Sequence, residues 1–435
     1  MDNKMRLNFE RLSKKPVGVF GKGVSGRAVC GLLDRLHVSY VTYDQHNDAT
    51  KSTFLIEDAQ RHDLIVTSPS FHESHPWVRM ATQGGCLCVG ELDFASRFWP
   101  GKVLAITGTN GKTTLTEFLA FALNRIGEAA YAVGNNGVAF SSIHTLGSYD
   151  QDAWAVCEVS SFQSETLRFL KADAILWTNF APDHLEIYPS LKDYFGAKWN
   201  LIQRLKEKGC CFVGESVERG AQQHGYRWPF KSKNFFKKQV LEKEVEQAAF
   251  PGTVFSSFPQ RENYLLAREF WKWIGRDESE LLLIAQDFKL PKHRLQEIRT
   301  VKNVHFWDDS KATNMAATLA AMRTFPKPIY LIAGGKSKNE NVSEFAKNLQ
   351  GKVKEAFLIG ETALDLENAF NAVGIPCKIY NSLEEIVPIA YELALQDTDI
   401  QHVVLSSGFS SLDMFKDYKQ RGDFFESIVQ AIYSK

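Results

Sequence analysis

Residues 103–127 read VLAITGTNGKTTLTEFLAFALNRIG. Val103 to Ile106 make a short buried strand. Leu115, Phe118, Leu119, Ala122, Leu123 and Ile126 then recur at helical spacing, and Gly127 supplies a stop. Between strand and helix lies Gly108-Thr109-Asn110-Gly111-Lys112-Thr113-Thr114. A glycine-rich turn at that junction aims backbone N–H groups and the positive end of the helix dipole at one point, where phosphate binds. Lys112 is placed to reach the outer phosphates of a nucleotide, and the Thr113 hydroxyl to bind Mg2+. The commonest form of this loop has a glycine six residues before the lysine. Ile106 stands there, so the loop is a compressed variant.

A strand feeding a helix in this way predicts α/β architecture, and the rest of the chain agrees. Strand-like runs alternate with helix-like segments: KPVGVFG, DLIVTSP, GKVLAITG, AWAVCEVS, DAILWTNF, KPIYLIAGG, EAFLIGE and QHVVLSSG. Such alternation argues βαβ units with mostly parallel sheets. The 435 residues suggest two to three domains at roughly 150 residues each. Breaks at RFWPGK (97–102) and DFKLPKHR (287–294) divide the chain into 1–99, 100–290 and 291–435. The expected fold class is α/β in three domains: a Rossmann-like N-terminal domain, a central P-loop ATPase domain and a Rossmann-like C-terminal domain. Residues 214–262 are more irregular, and the lysine run FKSKNFFKKQ reads as solvated surface. Phe270, Trp271 and Trp273 read as a core face.

Lys plus Arg and Asp plus Glu both number 51. That balance gives no general attraction to nucleic acid or an anionic membrane, so charged ligands need built sites. The N-terminus lacks an apolar signal region, and no run approaches the length of a membrane span. Seven scattered cysteines without a CxxC pair fit reduced thiols. A cytoplasmic protein without a nucleic-acid or membrane partner is expected, as a monomer.

A second phosphate motif lies upstream. VGVFGKGVSG (17–26) is an apolar run entering a GxGxxG turn, and Asp44 follows eighteen residues after Gly26. Alone this is a dinucleotide fingerprint and suggests a dehydrogenase. That reading leaves Gly108–Thr114 without a purpose. Two further strands end in charged groups: Glu158 closes AWAVCEVSSFQ, and Asp183-His184 follow AILWTNFAPDHL. The carboxyl ends of strands line the ligand crevice of an open α/β sheet. Glu158 and His184 are therefore expected to face the crevice of the phosphate loop, as Mg2+ ligands or their partners. Lys198 lies in a helical segment, DYFGAKWNLIQRLK.

ITGTNGKTT, EVSSFQSE and TNFAPDHLEIY, in this order and spacing, resemble the Mur ligases, the ATP-dependent amide-forming enzymes of peptidoglycan precursor synthesis. WDDSKATNMAAT (307–318) and LSSGFSSLDMFKDYKQRG (405–422) are similar to the member that adds D-glutamate. The resemblance covers nearly the whole chain. It implies ATP and Mg2+ as cofactors, and UDP-N-acetylmuramoyl-L-alanine and D-glutamate as the other substrates. It also implies residue roles. Lys112 and Thr113 match the phosphate and Mg2+ contacts, Glu158 the acidic metal ligand, and His184 the histidine beside it. Lys198 falls on a lysine that CO2 converts to a carbamate, turning a cation into an oxygen ligand. Asn135, Ser160 and Gln163 match acceptor contacts. Asn263, Arg294, Asp309 and Lys311 match the ATP side. Thr313, Lys338, Ser411, Leu412 and Tyr418 fall where the family holds D-glutamate. Val24, Ser25 and Asp44 become contacts to UDP.

Four departures from the family pattern stand out. Glu262 and Leu266 flank Asn263 where the family has His and a second Asn. Glu186 replaces a later Asp, and Lys336 competes with Lys338. Gln45 and His46 stand where an Arg commonly follows the first-domain Asp. The implied reaction phosphorylates the acceptor carboxylate to an acyl phosphate, which the D-glutamate amine attacks. His184 is one candidate for taking the amine proton. The alternatives weighed are a sibling ligase, a folate polyglutamylating ligase and a non-catalytic relative. The roughly 100 residues ahead of the phosphate loop disfavour the folate enzymes, which lack a separate nucleotide-sugar domain there.

Overall fold

A computed structural model describes residues 14–432 except 47, 146–150, 229–235, 259, 338–340 and 400. Lys338 lies outside the described residues. The eight runs read as strands all form strands, within three sheets.

The first sheet holds β1 (Val17–Phe20), β2 (Tyr40–Tyr43), β3 (Leu64–Thr67) and β4 (Leu87–Gly90) in the order β2-β1-β3-β4, all parallel. The second holds β5 (Lys102–Thr107), β6 (Ala130–Gly134), β7 (Trp154–Glu158), β8 (Ala172–Trp177), β9 (Leu205–Gly214) and β10 (Phe236–Val240). Their order is β10-β9-β8-β5-β7-β6, again parallel. The third holds β11 (Gln296–Val301), β12 (Val304–Asp308), β13 (Ile329–Gly334), β14 (Val353–Ile359), β15 (Cys377–Ile379) and β16 (His402–Leu405). Its order is β11-β12-β16-β13-β14-β15, with β11 antiparallel at one edge. β5 sits between β8 and β7 and is buried from Val103 to Thr107, as a parallel strand covered on both faces must be.

The chain packs as two compact units. One contains the residues up to Phe180, Lys192–Glu246 and Tyr264–Ala285. The other contains Ala181–Leu191, Gln247–Asn263 and Gln286–Lys435. Within the first unit, Val17, Val19 and Val66 of the first sheet share one core with Val103, Ala105 and Cys157 of the second. Leu92, Phe94 and Trp99 lie in that same core. Asp93 reinforces the seam: its carboxylate accepts from the N–H groups of Arg168, Phe169 and Leu170 at 2.7–3.2 Å.

Two local expectations need correction. The helix carrying Lys198 spans Leu191–Trp199 and does not run on to residue 206. A 3-10 turn, Asn200–Arg204, follows, and β9 begins at Leu205. The Asn200 amide donates to Ser164 O (2.7 Å) and Leu167 O (3.1 Å). An asparagine that finds backbone partners elsewhere draws the chain out of the helix. The described part of the lysine run is not simply solvated: it forms β10, and Lys237 packs 4.1 Å from the Trp228 ring centroid. Phe270 and Trp271 are fully buried, as a core face should be. The seven cysteines are free. Among the described residues no helix is long and apolar enough to cross a membrane.

Candidate active site

In the first turn, Gly21 has φ +86, which a side chain would strain. A Cβ on Gly26 would stand 1.7 Å from Gly21 O, so glycine alone lets helix Val24–Arg35 start this close to β1. Asp44, at the end of β2, accepts from Lys22 N–H (2.6 Å) and His46 N–H (2.8 Å). The turn opens on a cleft of about 460 Å3 lined by Val24, Ser25 and Asp44, with Phe71 stacked on Trp77 in its wall. The three UDP contacts expected from sequence thus share one cavity.

The second turn is pinned from β8. Asn179 O accepts from Thr109 N–H (3.0 Å) and Asn179 Oδ1 from Asn110 N–H (2.9 Å). The Thr178 hydroxyl donates to Asn110 O at 2.5 Å. Gly108 has φ +147, and a Cβ there would meet Thr178 Oγ1 at 1.9 Å. Gly111, with φ +85, caps the helix Lys112–Arg125. A helix start of this kind turns backbone N–H groups and the positive end of its dipole toward the turn, the arrangement that suits phosphate. Thr114 is fully buried, backbone and side chain alike. Lys112 Nζ donates to Gly108 O and Thr109 O, both at 2.9 Å. Lys198 Nζ, almost fully buried, donates to the same Gly108 O at 2.9 Å and lies 4.8 Å from the Tyr194 ring centroid.

Glu158 pairs in register with Ile106, two residues before Gly108. Its Oε1 accepts from the Asn135 amide at 3.1 Å. Its Oε2 is buried with no hydrogen-bond partner among the described residues. A buried carboxylate oxygen left unmatched is costly and suits a hard cation. The chain thereby fits Mg2+ at Glu158 and a nucleotide phosphate at Lys112. Ser160 and Gln163 form a reciprocal capping box at the start of helix Ser161–Glu165. Their local task is to hold the segment after Glu158.

The remaining candidates lie in the second unit. His184 has φ +57, and its ring approaches Glu186 Oε1 (3.4 Å) and Asp183 Oδ2 (3.7 Å). Asp183 also accepts from the Asn314 amide at 3.1 Å. Asn263 is buried and donates to Gln260 Oε1 at 2.8 Å. Asp309 accepts from Ser406 Oγ (2.8 Å) and Leu295 N–H (3.1 Å). Burial pushes its pKa up to about 7, and the neighbouring Asp308 charge adds to this. Arg294 and Ser411 are buried, Lys311 and Thr313 half-buried, and Leu412 exposed. Tyr418 begins the helix Tyr418–Ala431. Lys336 is exposed, its backbone bridging to Ser410.

A Mur ligase middle domain matches residues 106–262, and a Mur ligase glutamate ligase domain matches residues 293–408. The UDP-N-acetylmuramoylalanine--D-glutamate ligase of Thermoanaerobacter sp. is 30% identical, over 96% of this chain and 98% of its own. The chain belongs to the Mur ligase family. The enzyme of that same name from Protochlamydia amoebophila is 29% identical over 98% of this chain and 100% of its own. The solved UDP-N-acetylmuramate-alanine ligase of Thermotoga maritima shares the fold. It has a TM-score of 0.59 at 16% identity and covers 96% of this chain and 99% of its own.

Several residues that shape this Mur ligase were not among the sequence candidates. Thr178 and Asn179 pin the phosphate turn, and their place just past a strand end was the available signal. Glu91 is buried, and its Oε1 accepts from Ser141 N–H at 2.6 Å. Burial pushes its pKa up to about 7. His293 and Arg421 are buried in the last block. Burial pulls the Arg421 pKa down to about 10, against the attraction of nearby aspartates. No local pattern distinguishes Glu91, His293 and Arg421 from ordinary surface charges.

Proposed function

We propose that this Mur ligase joins D-glutamate to UDP-N-acetylmuramoyl-L-alanine at the expense of ATP, in cytoplasmic peptidoglycan precursor synthesis and as a monomer. The observation that carries this reading is the unmatched, buried Glu158 Oε2 beside the lysine-bearing phosphate turn. The D-glutamate-adding relatives at 29–30% identity support the choice of amino acid. Residues 1–99 would hold the UDP substrate, 100–290 ATP, and 291–435 D-glutamate.

A carboxylate does not react with an amine in water, because its oxygen is a poor leaving group. Phosphorylation of the acceptor carboxylate by ATP gives an acyl phosphate and ADP. Attack by the D-glutamate amine then releases phosphate. Such a transfer depends on positioning and charge neutralisation. Mg2+, when bound, neutralises charge on the transferring phosphoryl group. Glu158, the Thr113 hydroxyl and His184 are the candidate groups to hold it. Lys112 leaves Gly108 O and Thr109 O to meet the phosphates. A carbamate on Lys198 keeps one N–H, enough to retain the bond to Gly108 O, and adds two oxygens where a cation had been. The first cleft receives UDP through Val24, Ser25 and the turn organised by Asp44, and Asn135, Ser160 and Gln163 serve the acceptor. Arg294, Asp309, Lys311 and Asn263 serve ATP. Thr313, Lys338, Ser411, Leu412 and Tyr418 hold D-glutamate.

Phosphate release with UDP-N-acetylmuramoyl-L-alanine, ATP and Mg2+ tests this reading. Release is expected with D-glutamate and not with L-alanine or diamino acids. Release with one of those instead, or none with D-glutamate, would overturn it.

A further inference from the structure

We infer that His293 is a positioning residue that couples the ATP side of the last block to its D-glutamate side. This rests on the function proposed above, because that function defines the two sides.

The segment 293–295 is strained. His293 has φ +66 and Leu295 φ +47, a region that residues other than glycine avoid. Arg294 stands between them. Such a conformation persists when its surroundings impose it. Asp309 Oδ1 accepts from Leu295 N–H at 3.1 Å, and His293 O accepts from Lys311 N–H at 3.0 Å. The segment that carries Arg294 is therefore hydrogen-bonded on either side of it to the other ATP-side candidates, Asp309 and Lys311.

The His293 ring carries the connection onward. Its Nδ1 donates to Asp308 Oδ2 at 2.5 Å, and its Nε2 lies 3.5 Å from Asp423 Oδ1. The Tyr418 ring meets it edge-on at 6.3 Å. A Cβ on Gly422 would stand 2.2 Å from His293 Nδ1, so glycine alone leaves room for the ring. Beside it, Arg421 Nε donates to Ser310 Oγ (2.9 Å) and Nη2 to Ser310 O (2.8 Å). Ser310 Oγ donates to Tyr418 O at 2.8 Å. The strand end 308–311 and the helix start 418–422 thus meet across one imidazole.

His293, Asp308 and Glu426 also have the composition of a cation site. Lys292 already supplies a cation there, 3.5 Å from Asp423 and 3.6 Å from Glu426. Together with the direct His293–Asp308 bond, this favours a positioning role.

Steady-state kinetics with all three substrates test the inference, on His293→Ala, His293→Asn and Gly422→Ala. Loss of a buried charge-assisted hydrogen bond should raise KM for both ATP and D-glutamate about tenfold in His293→Ala. Gly422→Ala should do the same by displacing the ring. KM for the UDP substrate should stay unchanged in both. His293→Asn keeps a donor near the Nδ1 position and tolerates left-handed backbone, so it should stay within about threefold of wild type. A purely structural role would lower kcat with the folded fraction and leave every KM in place, and that result overturns the inference. So does an asparagine variant as impaired as the alanine one. If the wild type forms no amide bond, the functional reading fails and takes this inference with it. An active wild type matched by His293→Ala and Gly422→Ala would remove the coupling alone.

Discussion

At the first glycine turn the Asp44 carboxylate accepts from the turn's Lys22 N–H and from His46 N–H, and a cleft of about 460 Å3 lies open beyond it. At the second turn two lysine ammonium groups share Gly108 O, and one of them also holds Thr109 O. Both turns have a strand, glycines and a helix start. The first is receptive as it stands. In the second the lysines are satisfied internally, and on the proposed function Lys112 exchanges its carbonyl partners for phosphate. On the proposed function, docking of the UDP substrate is close to rigid, whereas ATP binding includes a rearrangement. Motif spacing carries no trace of that difference.

Lys112→Met should separate the two turns most sharply. Turnover should fall about a thousandfold, as when a main stabiliser of developing charge is removed. Calorimetric affinity for the UDP substrate should not change, and a parallel loss of that affinity would mean the turns are not independent. Gly26→Ala comes next. Its Cβ would meet Gly21 O at 1.7 Å, so thermal or denaturant unfolding should show a loss of about 2–3 kcal/mol. Gly23→Ala meets nothing within 4 Å and should cost about 1 kcal/mol or less, although it lines the cleft and should weaken the UDP substrate. Equal destabilisation by the two would refute close packing as the reason for Gly26. Asp44→Ala should raise KM for the UDP substrate about tenfold and leave KM for ATP in place.

The smallest effect concerns the seam between the two sheets. Glu91 has its pKa raised to about 7 from an ordinary 4.5, so the folded state holds the proton more tightly. That contribution to stability is complete below the unfolded value and is lost as pH rises through the folded one. Stability should fall by about 1 kcal/mol between pH 6 and pH 8 from this group. Glu91→Gln should flatten that slope in chemical denaturation, and an unchanged slope would assign it to other groups. His293 titrates in the same sense in the other unit. Burial lowers its pKa, but Asp308, Asp423 and Glu426 outweigh burial and leave it raised.

Much of this was legible in the sequence, because hydrophobic period and glycine placement are local. The strand read at Val103–Ile106 and the helical repeat from Leu115 to Ile126 follow from spacing alone, and the structure has them as Lys102–Thr107 and Lys112–Arg125. The end of the Lys198 helix was not legible, because it depends on where the Asn200 amide finds carbonyls more than thirty residues away. Ser160 and Gln163, expected from sequence only as acceptor contacts, also cap a helix reciprocally in the structure. Asp183 and His184 follow a strand of the first unit yet belong to the second. Their partner Asn314 is 131 residues from Asp183, beyond the reach of any local pattern. Glu91, Asp93, His293 and Arg421 look like surface charges until packing removes their water.

Asp93 sets a limit on recombining this family's parts. Its two oxygens hold three successive N–H groups of the loop at 168–170, on the far side of the phosphate turn in sequence. A chimera that takes its first hundred residues from another ligase must also import that loop, or a loop with the same three donors. Otherwise one buried carboxylate enters the graft junction without its hydrogen-bond donors. Crossover points for domain shuffling therefore belong after residue 170, although the sheets divide near residue 100.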